Sequence, residues 1–110
     1  MRARGDPTLH EIVKAFVERD YALDREVPSV EKPSAATATH VANYIAGYGE
    51  TLIELPDETW ETSVAQWNGA RWDVMVDLWT AEAGCEMILS AEVFEREDGF
   101  SYRVYMVHVP

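Results

Sequence analysis

Apolar and polar positions alternate strictly from Trp72 to Thr80, in the run Trp-Asp-Val-Met-Val-Asp-Leu-Trp-Thr. Side chains on a strand point to opposite faces with a period of two, so Trp72, Val74, Val76 and Leu78 form one row suited to a core. Asp73, Met75, Asp77 and Trp79 form the other, which mixes acids with large apolar groups. The N-terminal part has a different period. Leu9, Ile12, Val13, Phe16 and Val17 recur at helical spacing, and Thr8 with Glu11 fits a capping box, which predicts a helix from Leu9 to Tyr21. Residues 1–7 read as a flexible lead-in, and Asp24–Pro33, with its two prolines among charges, reads as a connection. Ser34 is positioned to cap a second helix with Ala38, Val41, Ala42, Ile45 and Tyr48 on its buried stripe, and Gly47 or Gly49 ends it.

After a short extended stretch at Thr51–Leu55 and a break at Pro56, four strands are expected at Thr59–Trp67, Arg71–Thr80, Cys85–Glu95 and Phe100–Val109. Asn68-Gly69 and Asp98-Gly99 mark tight turns. A register test supports the middle of this layout. Pairing Thr80 with Cys85 sets Leu78 against Met87, Val76 against Leu89, Val74 against Ala91 and Trp72 against Val93. Pairing Glu97 with Phe100 sets Val93 against Val104 and Ala91 against Met106. All these pairs are apolar, as a buried face requires. A three-residue loop after Trp67 puts Trp60, Thr62 and Val64 on that face, whereas a two-residue turn does not. The expected fold is α+β: two N-terminal helices packed on one face of a four- to five-stranded antiparallel meander, as one domain over residues 1–110. The opposite face then carries Arg71, Asp73, Met75, Asp77 and Trp79, then Glu86, Ile88, Ser90, Glu92 and Phe94, then Arg103, Tyr105 and Val107. It is too apolar for a solvated surface and too acidic for a second core.

Charge sharpens this picture. The chain carries 20 acids against 9 Lys and Arg, for a formal net charge of −11. Through Lys32 the two signs nearly balance, but Glu50–Glu92 holds ten acids and one base, Arg71. Such a field repels nucleic acid and anionic membranes and steers cationic partners inward. No run approaches the apolar length of a membrane span, no signal peptide opens the chain, and the single Cys85 allows no internal disulfide, so a cytoplasmic protein is expected.

Catalytic chemistry finds little support. His10, His40 and His108 lack partners at metal-ligand spacing, and His108 reads as sharing the inner face with Leu89. Cys85 lies among carboxylates, which oppose thiolate formation, and no serine sits in a nucleophile elbow. Asp73 and Asp77 share a face but lie roughly 13 Å apart at the usual rise per residue. Asp73 and Glu92 are expected cross-strand neighbours, best read as a pair complemented by Arg71, Arg103 or a partner's bases. No catalytic residue, metal site or cofactor is assigned.

The Trp60–Thr80 run, with Glu-Thr-Ser at 61–63 and Trp-Asp-Val-Met-Val-Asp-Leu-Trp-Thr at 72–80, resembles small uncharacterised bacterial proteins associated with immunity-type loci. The His-Glu-Ile-Val helix and the Asp98-Gly99-Phe100 hairpin are similar too. The resemblance implies a stand-alone bacterial domain and transfers no catalytic residue. The function expected is protein binding: an acidic immunity or antitoxin-type inhibitor that masks a basic partner such as a toxin. Its contact residues would be Asp73, Met75, Asp77, Trp79, Glu86, Ile88, Glu92 and Phe94, with Trp79 the exposed anchor. The alternatives are a nucleic-acid mimic, a homodimer seam on the same face, and a small-ligand site between the layers.

Overall fold

The computed structural model describes residues 3–82 and 84–110, with the side chains of Gly84 and Cys85 outside the description. Two helices, α1 (Pro7–Val17) and α2 (Ala35–Tyr48), precede a four-stranded antiparallel sheet of β1 (Val64–Trp67), β2 (Trp72–Thr80), β3 (Gly84–Arg96) and β4 (Gly99–His108). The strands lie in chain order, a meander. The buried residues of both helices join one alternating row of the sheet in a single apolar cluster that includes Leu9, Ile12, Val13, Val41, Val76, Leu78, Leu89 and Val93. α2 runs beside β4.

Local chemistry moves the helix boundaries. α1 starts at Pro7, two residues early, because Asp6 rather than Thr8 is its cap: Asp6 Oδ1 accepts the Thr8 and Leu9 amides at 2.9 and 3.1 Å. Asp6 Oδ2 also accepts the Tyr102 hydroxyl at 2.7 Å, tying the helix start to β4. The segment expected to be a loose lead-in thus carries the cap and a buried Ala3. The helix ends at Val17, and Arg19 takes a positive φ of 66°. Ser34 caps α2 through the Thr37 amide, as expected, and Gly49 closes it in the left-handed conformation.

The central register agrees with the apolar matching. Trp72 pairs with Val93, Val74 with Ala91, Val76 with Leu89 and Leu78 with Met87; an irregularity then sets Thr80 against Gly84 rather than Cys85. Two other expectations are corrected and one register left open is decided. Thr59–Trp67 is not one strand. Asp57–Glu61 coils into a 3-10 turn, where the Thr59 hydroxyl donates to the Asp77 carbonyl at 2.6 Å, and only Val64–Trp67 extends. Second, Val64 pairs with Met75, so it faces outward. The cause is Asn68: its side-chain oxygen accepts the Ala70 and Arg71 amides, making it the corner of the turn while Gly69 takes the positive φ. Third, β3 and β4 close at Arg96 and Gly99, so Val93 meets Tyr102 and Ala91 meets Val104. Tyr105 is then an extra residue between Val104, opposite Ala91, and Met106, opposite Ser90. A bulge reverses which face later side chains take. Val107 is therefore buried inside, and His108 lies on the outer row opposite Ile88 rather than beside Leu89. Thr51–Leu55 contributes a single bridge, Leu52 to Thr80, instead of a fifth strand.

Candidate functional site

The outer row of the sheet brings the expected contact residues onto one surface but gives them unequal roles. Asp73 and Glu92 are directly opposed, as expected. Glu92 is only 8% exposed and is clamped by two arginines: Arg71 Nε lies 2.7 Å from Oε2, and Arg103 Nη2 lies 2.7 Å from Oε1. Such charge-assisted contacts are short and directional, and the carboxylate raises the Arg103 pKa above its ordinary value. Asp73 accepts from Arg71 Nε at 3.1 Å and from Asn68 Nδ2 at 3.1 Å. Phe94 is half-buried, with the Arg96 and Arg103 guanidinium carbons 5.3 and 5.2 Å from its ring centroid. These residues form a braced polar network across β2, β3 and β4.

Asp77 serves a different purpose. Its carboxylate accepts the Thr62 hydroxyl and its carbonyl accepts Thr59, so it anchors the 3-10 turn to β2. Glu86 accepts the Tyr48 hydroxyl at 2.8 Å, linking α2 to β3. Trp79, expected as the exposed anchor, is half-buried, with its Nε1 enclosed and unpaired. Ile88 is half-buried between Asp77 and His108.

The exposed apolar groups are elsewhere on this surface. Met75 is 38% exposed, Val64 opposite it 45%, and Tyr105 58%. Met75 and Tyr105 line a depression of about 280 Å³ whose polar wall is Arg71, Asp73, Ser90 and Glu92. Val64 could not be found by pattern, because the choice of Asn68 as corner set its face. Tyr105 stands on the outer face, where alternation placed it; the bulge, which carries no sequence signature, instead turns Val107 inward. A larger cleft of about 680 Å³ lies between the ends of α1 and α2, lined by residues such as Phe16, Arg19, Tyr21 and Asn43; its one acid, Glu50, accepts the Thr80 hydroxyl. Among the described residues no group of three His, Cys, Asp or Glu is placed to hold a metal, and no helix is long and apolar enough to cross a membrane.

Residues 13–110 match the family described as a domain of unknown function, DUF7668. The chain belongs to that family. No curated protein and no solved structure matches it.

Proposed function

We propose that this chain is a small acidic binding domain, an immunity or antitoxin-type inhibitor, that masks a basic protein with the outer face of its sheet. The reading takes both helices to back the inner face, leaving the outer one for the partner. The observation that carries it is the exposed Met75–Val64–Tyr105 group around a braced, prearranged polar network. Exposed apolar groups beside ordered polar ones make effective contacts because little side-chain entropy is lost on binding. The ten acids against one base between Glu50 and Glu92 supply attraction for a basic partner and speed its approach.

The internal pairings favour a shifted centre of contact in this reading. Glu92 and Asp77 already have internal partners, so Met75, Tyr105 and Val64 carry the binding energy, Asp73 and Phe94 frame them, and the half-buried Trp79 stands at the margin of the same row. A nucleic-acid mimic needs a row of unpaired carboxylates, and the arginine clamp on Glu92 disfavours it. The reading is tested by hydrogen exchange on the chain alone and with its captured basic partner. Protection should appear in the peptides covering Asp73–Met75 and Arg103–Met106. Protection confined to α1 and α2 would reject the outer face.

A further inference from the structure

The two edges of the sheet are finished differently. Along β4, the Tyr102 amide donates to Ser29 and its carbonyl accepts from Glu31, at 2.8 and 2.9 Å, while Val107 O accepts from His40 Nε2 at 3.1 Å. Along β2 beyond β1, Asp77 O is taken by Thr59 and Trp79 O by the Ile53 amide. At β1 the Asn68 amide bonds Arg71 O at 3.0 Å. Antiparallel ladders alternate bonded and non-bonded pairs, so Gln66 and Val64 bond toward Asp73 and Met75. Ala65 and Trp67 therefore turn their N–H and C=O away from the sheet. Among the described residues, none pairs with these groups.

We propose that β1 accepts an added strand: an extended segment of a protein partner with Lys or Arg at the end that meets the 3-10 turn. This rests on the reading of the chain as a binder of a basic protein and names how part of that partner attaches. The main chain of Ala65 and Trp67 supplies a donor and an acceptor each, the basis of strand addition. Trp67 is 47% exposed and packs on Trp72 with ring centroids 5.4 Å apart, offering an apolar platform beside those bonds. Charge selects the occupant. Asp57, Glu58 and Glu61 are exposed in the turn directly before β1, and β1 itself is uncharged. A basic strand is drawn to this edge, whereas a second copy brings the same carboxylates to the seam.

The test uses the full chain and an end-capped Lys-Val-Lys-Val-Lys-Val peptide, with an N-methylated version of identical charge, followed by amide NMR. The plain peptide should protect the Ala65 and Trp67 amides from exchange, and the methylated one should bind roughly tenfold more weakly or worse. Ala65→Pro removes an amide that faces away from β2, so the β1–β2 ladder survives and the peptide's effect disappears. Should that variant unfold, the comparison of the two peptides still decides. Equal binding of both peptides overturns the added strand while leaving the outer-face reading to its own variants. A concentration-dependent dimer of the chain alone, dissolved by Ala65→Pro and without peptide binding, overturns it in favour of self-pairing.

Discussion

The two faces of β2 and β3 are built from interleaved residues of the same strands, yet they hold together by different physics. The inner row, Val74, Val76, Leu78, Met87, Leu89 and Val93, is sealed from water and stabilised by burial at about 25 cal/mol per Å². The outer row is ordered by ion pairs and hydrogen bonds, with Glu92 at their centre and Met75 and Tyr105 left in solvent. Side chains on a face can therefore be held in place by ion pairs and hydrogen bonds without being sealed in a core. On that face several acids are held by internal partners, and Met75, Val64 and Tyr105 are left exposed.

Substitutions on the two rows should separate cleanly. Leu89→Ala, on the inner row, should cost about 2–5 kcal/mol in denaturant unfolding, the range for a buried leucine that leaves a cavity. Glu92→Gln should cost about 1–3 kcal/mol, because charge-assisted bonds to Arg71 and Arg103 are lost together. A cost as large as that of Leu89→Ala would mean that the outer row is a second core.

The smallest stability effect lies off the sheet and depends on pH. Asp20 is partly desolvated, which opposes ionisation, but the Asp24 and Arg25 amides and the Arg25 guanidinium hold its carboxyl below the ordinary value of 3.8. A depressed pKa in the folded state stabilises the protein above the unfolded value, and that contribution fades as pH falls through the folded one. Asp20→Asn should therefore be less stable than wild type at neutral pH by under about 1 kcal/mol, as for a partly exposed pair. The two should converge only once pH has fallen through the depressed folded-state value, which lies below 3.8. A difference that persists there would assign the effect to side-chain geometry rather than charge.

The same contrast explains what could be read from the amino-acid sequence. The helices, the meander and the four central β2–β3 pairs were legible because burial enforces period and register wherever one face is apolar throughout. Single local choices were not legible. Asp6 outcompeted Thr8 as a cap because it also reaches Tyr102. Asn68 took the corner of its turn with its own side-chain oxygen, which put Val64 outside. One extra residue at Tyr105 turned Val107 inward and His108 outward. At the candidate site, the Asp73–Glu92 apposition and its complement by Arg71 and Arg103 were readable from cross-strand matching. The exposure of Trp79 was not, because alternation assigns a face and says nothing about what lies across it.

The most direct test of the central claim measures stability and partner affinity on the same variants, Tyr105→Ala and Met75→Ala, against wild type. Both side chains are exposed, so unfolding free energies should stay within about 0.5 kcal/mol of wild type. Titration with the purified basic partner should show a loss of about 2 kcal/mol for Tyr105→Ala, roughly thirtyfold in Kd, and a smaller loss for Met75→Ala. Wild-type affinity in both variants, with their folds intact, would contradict the outer sheet face as the binding surface.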